Sequence, residues 1–125
     1  MKTKVKGAKV APRNEELAML SGIQGCDVVV FVGYHGRAGG ANFLAHTVSG
    51  KWIKKITVND VEVSEGSLNA AVARKFGTKL VLFSGTDAGV EEMREEIPSV
   101  HYVTATESKD EWTGVPLHEP EDFCK

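Results

Sequence analysis

VVVFVGYHGRAGGANFLAHTVSG, residues 28–50, decides how this chain is read. It opens as a run of β-branched and aromatic residues, which predicts a strand buried on both faces. The run ends in a histidine, His35, and enters a loop rich in glycine (Gly36, Gly39, Gly40). A second histidine, His46, follows eleven residues after the first. Glycine permits positive φ and close backbone approach, and loops beside ligands use both. A tight turn holding one hydrogen-bonded histidine would use the same residues, so position alone leaves both readings open.

Outward from this stretch the chain alternates strands and helices. GANFLAHTVSG predicts a short helix with Phe43, Leu44 and Val48 apolar and Gly50 as its stop. WIKKITVNDVEVS predicts a hairpin turning at Asn59-Asp60, a pair that tolerates positive φ. SEGSLNAAVARKFG follows as a helix capped by Ser64, with Leu68, Val72 and Phe76 as its apolar stripe and Gly77 closing it. KLVLFSG is a buried strand, TDAGVEEMREEIP a helix capped at Thr86 or Asp87 and stopped by Pro98, and SVHYVTAT the last strand. Upstream, NEELAML predicts a helix capped by Asn14 with Leu17 and Leu20 on one face. From about residue 108 the chain turns polar and proline-bearing, as a surface tail would. The core order β-α-ββ-α-β-α-β predicts an α/β, three-layer-like domain: a mostly parallel sheet, flanking helices and one β-hairpin. At 125 residues, one domain spanning residues 1–125 is expected.

Composition narrows the function classes. Apolar residues make up 42% and charged ones 26%, ordinary for a globular protein, and the net charge is −2. Neither a nucleic-acid nor a membrane partner is indicated. Lys2, Lys4, Lys6, Lys9 and Arg13 precede the first acid, and Asp110, Glu111, Glu119, Glu121 and Asp122 crowd the tail. Such runs are usually solvated edges. Cys26 and Cys124 match no zinc or redox spacing, and Cys26 is expected reduced in the core. The lysine-rich start lacks an apolar signal core, and a cytoplasmic location is expected.

In layered α/β sheets, sites gather at the carboxyl ends of strands. His35 falls there. His46, four residues after Asn42 on the expected helix, would share its face and look into a cleft. As a neutral imidazole it could bind metal or move a proton, or be a half-buried surface histidine. Glu65 lies in a first helical turn, where the helix dipole alone would explain a carboxylate. Yet His35 and Glu65 fall at loop ends that the sheet would bring together, and histidine plus carboxylate is a zinc pairing, although zinc wants about four donors. Asn69 shares the face of Glu65 and could orient it. FSGTD reads as a cap or an anion cradle. His101 reads as structural, and His118 has no evident role. No nucleophile elbow, P-loop or dinucleotide fingerprint is present.

Three blocks, VGYHGRAGGANFLAHT, VNDVEVSEGSLNAA and FGTKLVLFSGTD, resemble the zinc-dependent D-aminopeptidase family of metallopeptidases. The resemblance covers about residues 27–109 and keeps order and nearly all spacing. It implies a layered α/β fold that assembles into a ring-shaped oligomer around a dinuclear zinc site. It implies His35 and Glu65 as zinc ligands, His46 as a histidine with a direct catalytic role, and Asn69 beside the substrate. Family members open with an Asp-x-Glu metal motif and add a further histidine ligand downstream. This chain has neither before His35, and Ser64 and Ser67 replace two family glycines. It therefore resembles the C-terminal portion of a family member and encodes one side of the zinc site. The expected function is a zinc metallopeptidase-like protein acting on a short peptide or amino-acid amide, as one part of a split hydrolase whose Asp-x-Glu comes from a partner chain. The alternative is a non-catalytic small-molecule-binding or self-assembling module of the same fold. A homo-oligomer is expected either way.

Overall fold

In the computed structural model, residues 6–12 and 16–119 are described. The elements run β1 (Val28–Tyr34), the hairpin β2 (Thr57–Val58) and β3 (Val61–Glu62), α1 (Glu65–Lys75), β4 (Lys79–Thr86), α2 (Asp87–Glu96), β5 (His101–Ser108) and β6 (Gly114–Pro116). The main sheet has the order β1-β4-β5-β6. β1 and β5 lie parallel to β4 on either side, and β6 closes the edge antiparallel to β5. This is the expected α/β class, with a mostly parallel sheet, flanking helices and one hairpin. The hairpin turns at Asn59 (φ 50) and Asp60 (φ 65), as their tolerance of left-handed backbone predicts.

Each helix crosses from one parallel strand to its neighbour, α1 from β1 to β4 and α2 from β4 to β5. Both travel in the same direction across the sheet. Right-handed crossovers therefore put both on one face, and they touch each other there. Phe31 from β1, Phe83 from β4, Ala70 and Ala73 from α1, and Val90 and Met93 from α2 make the core, with Leu20, Ile23 and Val100 plugging its ends. The other face of β1 is bare. Val28, Val30 and Val32 are exposed, Val32 at 72%. The expectation of a strand buried on both faces is thus corrected: among the described residues no second helical layer covers the outer valines.

The contact face of α1 also differs from expectation. Glu65, Gly66, Asn69, Ala70 and Ala73 are buried, while Val72 and Phe76 of the expected stripe are exposed. Small residues decide this. A Cβ on Gly66 would sit 2.9 Å from Met93 Sδ and 3.0 Å from Phe83 Cε2, so only glycine lets the helix come so close. That approach carries the polar side chains of Glu65 and Asn69 inward. Ser64 caps the helix as expected, in a reciprocal box with Ser67.

Residues 40–50 form turns and bends instead of the expected helix. Gly, Asn, Thr and Ser are frequent here and favour turns over helix. Their backbone groups close a compact loop: His46 N–H donates to Gly36 O at 3.1 Å and Ala45 N–H to Asn42 O at 3.0 Å. Leu44 and Val48 sit at φ 59 and 62, outside any right-handed helix. The upstream helix is corrected as well. Asn14 lies outside the described residues, and residues 16–20 are turns around a single bridge at Ala18. Glycines at 22 and 25 with positive φ keep the chain turning. Cys26 is exposed, not in the core. Beyond residue 108 the chain supplies β6, mostly exposed, pairing Thr106 with Pro116 and Ser108 with Gly114.

Candidate metal centre

β1 delivers His35 at its carboxyl end, the loop of residues 40–50 delivers His46, and the first turn of α1 delivers Glu65. The two imidazoles stack, centroids 3.8 Å apart and planes 18° apart. Glu65 Oε2 lies 3.5 Å from His35 Nε2, and Oε1 lies 4.0 Å from His46 Nε2. One ligand atom from each of the three falls within 4.8 Å of the others. Their place at the loop ends of the sheet predicted that His35 and Glu65 meet, and they lie side by side. The structure adds His46, expected nearby as a catalytic group, to the same set of ligand atoms.

Hydrogen bonding fixes what these atoms present. His35 Nδ1 lies 3.1 Å from Gly36 O, and His46 Nδ1 lies 2.7 Å from Leu44 O. A carbonyl oxygen can only accept, so each Nδ1 is the donor. Each Nε2 is left facing the Glu65 carboxylate. Histidine ligands are commonly held by this same Nδ1–H to carbonyl bond. The set is His₂Glu, a set found at catalytic zinc sites that leave the fourth position open. Zinc therefore fits the residues present.

Glu65 is held from behind. Val48 N–H donates to its Oε1 at 2.5 Å, which requires the left-handed backbone of Val48. No sequence signal foretold this, because a β-branched residue is a poor choice for positive φ. Asn69 lies deeper than expected. It is buried, and its amide donates to Tyr34 Oη at 3.0 Å. Burial pushes the Tyr34 phenol above its ordinary 10.0; the bond from Asn69 opposes that rise and the charge of Glu65 adds to it. FSGTD is a cap: Thr86 Oγ1 accepts from Gly89 N–H, and Asp87 binds Ser108. His101 is exposed at the start of β5, outside the cluster.

Access is one-sided. The His46 side chain is 34% exposed, against 11% for His35 and 10% for Glu65. A cleft of about 640 Å³ opens beside His46, lined by Leu44, Lys51, Ile53, Lys54 and Trp112 among others.

Comparison with known proteins follows the same lines. The family model described as D-aminopeptidase, peptidase family M55, matches residues 5–124. A D-aminopeptidase of Bacillus subtilis (strain 168) is 32% identical over 71 residues, 57% of this chain and 26% of the relative. The solved structure of a Zn-dependent D-aminopeptidase from Bacillus subtilis, described as a self-compartmentalizing protease, superposes with a TM-score of 0.76 at 25% identity. That match takes in 81% of this chain and 37% of the relative. The matched part of the chain thus spans well under half the length of either.

Proposed function

Because the chain belongs to the D-aminopeptidase family, we propose that it supplies half of a zinc site that hydrolyses the N-terminal bond of short peptides or amino-acid amides. The observation that carries this is the convergence of two imidazole Nε2 atoms on the Glu65 carboxylate. His35 and Glu65 would hold the metal, being the more buried pair. Zinc supplies Lewis-acid chemistry there: it polarises a carbonyl and makes water a stronger nucleophile at neutral pH. His46, open to the cleft, completes the donor set or takes a proton at Nε2 from the attacking water and passes it to the departing amine. Its Nδ1 bond to Leu44 O keeps Nε2 aimed at the reacting groups. Asn69 is committed to the Tyr34 hydroxyl, so its part in substrate binding runs through Tyr34. The cleft beside His46 receives the residues that follow the bond to be cut.

A dinuclear site needs more donors than three. We infer that an Asp-x-Glu segment outside this sequence contributes them. The bare valines of β1 favour association of copies as well, in keeping with a relative that is self-compartmentalizing. Among the described residues no helix is long and apolar enough to cross a membrane. The test is zinc-dependent release of the N-terminal residue from D-alanyl dipeptides, with and without an Asp-x-Glu partner. Activity that appears with zinc and disappears in Glu65→Gln supports the reading. Zinc binding without activity under any pairing leaves only a metal-binding module and overturns the hydrolase.

A further inference from the structure

The loop that carries His35 rests on α2. A Cβ on Gly89 would lie 2.7 Å from the His35 carbonyl carbon and 2.8 Å from its oxygen, so the helix touches the backbone of His35 itself. A Cβ on Gly36 would lie 3.2 Å from Ala88 Cβ and 3.5 Å from Glu92 Oε1. On this bed Arg37 N–H donates to Glu92 Oε2 at 3.0 Å, and the Arg37 Nε lies 3.9 Å from Glu92 Oε1. The Glu92 side chain is only 16% exposed. Its carboxylate thus holds the peptide two residues after His35. The Arg37 guanidinium continues the chain of contacts, with Nε 3.5 Å from Glu62 Oε2, and Lys55 Nζ pairs with Glu62 Oε1 at 2.6 Å. Glu62 lies three residues before Glu65. Arg37 therefore joins the segment bearing one donor to the segment bearing another.

We propose that Glu92 is a positioning residue, which sets the direction of the His35 imidazole by anchoring the backbone N–H of Arg37 on α2. It touches neither metal nor substrate. The claim deepens the zinc reading in one readout and is independent of it in the other.

The experiment compares the wild-type chain with Glu92→Leu, Glu92→Asp, Glu92→Gln and, as a control on the solvent side of the same helix, Glu91→Gln. Zinc affinity is measured by competition with a chromophoric chelator. The ring Hε1 signals of His35 and His46 are measured by NMR in metal-free protein, where their stacking shifts each by the other's ring current. Glu92→Leu removes the acceptor, and zinc affinity should fall about tenfold, the low end for outer residues of metal sites. The two ring signals should move toward unstacked positions. Glu92→Asp, one methylene short, should move both readouts in the same direction while keeping the fold. Glu92→Gln keeps an acceptor oxygen and should restore both, and Glu91→Gln should match wild type. Glu92→Asp and any folded Glu92→Leu with wild-type ring signals and zinc affinity would overturn the proposal, whatever their thermal midpoints. A wild-type chain that binds no zinc would overturn the zinc reading alone, because the ring signals still decide the role of Glu92.

Discussion

Glu65→Gln should make the metal-free protein more stable and abolish its response to zinc. Glutamine keeps the volume of glutamate, and its Oε1 can still accept from Val48 N–H, the bond Glu65 makes at 2.5 Å. That orientation turns the new NH₂ toward His35 Nε2, where Glu65 Oε2 now lies 3.5 Å away. With His35 neutral, an acceptor facing an acceptor becomes a donor facing an acceptor. One such bond contributes about 1 kcal/mol, or a rise of roughly 4 °C in Tm for a domain of this size. The same bond occupies the lone pair that zinc needs, and the substitution removes the cluster's anion. A hundredfold loss of zinc affinity is a modest expectation for losing one donor and blocking another. At zinc equal to 100 times the wild-type Kd, binding stabilises the wild type by about 2.7 kcal/mol, and the variant by only about 0.4. Thermal scans with and without zinc should show a shift of roughly 10 °C in wild type and of about 1 to 2 °C in the variant. A Glu65→Gln protein that keeps the wild-type zinc shift would refute the reasoning, as would one whose metal-free form loses several degrees.

Three further outcomes follow from the packing. Burial tends to raise the Asp87 carboxyl, but the hydroxyl and N–H of Ser108 and the N–H of Ala88 outweigh it and hold the group below its ordinary 3.8. A depressed carboxylate stabilises above its unfolded pKa and loses that as pH falls through its folded one. Asp87→Asn should therefore cost about 1 to 2 kcal/mol at pH 7, and the difference from wild type should shrink as pH falls below the ordinary carboxylate range, as read by urea titration at each pH. Gly85→Ala puts a Cβ 2.0 Å from Tyr34 O, where β1 and β4 meet most closely. Backbone must move, so a loss of about 3 kcal/mol or more is expected, and a chemical-denaturation midpoint near wild type would contradict the β1–β4 register. Val30→Lys, on the bare face of β1, should change monomer stability by less than about 0.5 kcal/mol yet reduce the mass seen by light scattering. An unchanged mass would remove that face from the assembly.

How much of this was legible in the sequence depended on whether local residues set the outcome. The hairpin at Asn59-Asp60, the Ser64 cap and the helix ending before Pro98 each follow from one or two residues with a fixed backbone preference, and all three appear. The buried face of α1 was misjudged because the apolar moment points to Leu68, Val72 and Phe76. The real contact is set by how near Gly66 lets the helix approach Phe83 and Met93. The loop of residues 40–50 carries helix-like spacing, yet its course is set by bonds to Gly36 and Glu65 that lie outside it. At the site, His35 and Glu65 were legible from strand-end topology and family resemblance together. The orientation of both imidazoles through Nδ1, the grip of Val48 on Glu65, and Glu92 beneath Arg37 were not. Each depends on a backbone group, and backbone groups leave no mark in the residue pattern.

X-ray absorption at the zinc edge of the loaded chain addresses the donors directly. The account predicts a first shell with two imidazole nitrogens at about 2.0 to 2.1 Å, showing outer-ring scattering, and oxygen from a carboxylate. It also predicts loss of one imidazole in His35→Ala. A shell of oxygens alone, a sulfur donor, or a spectrum that His35→Ala leaves unchanged would contradict it.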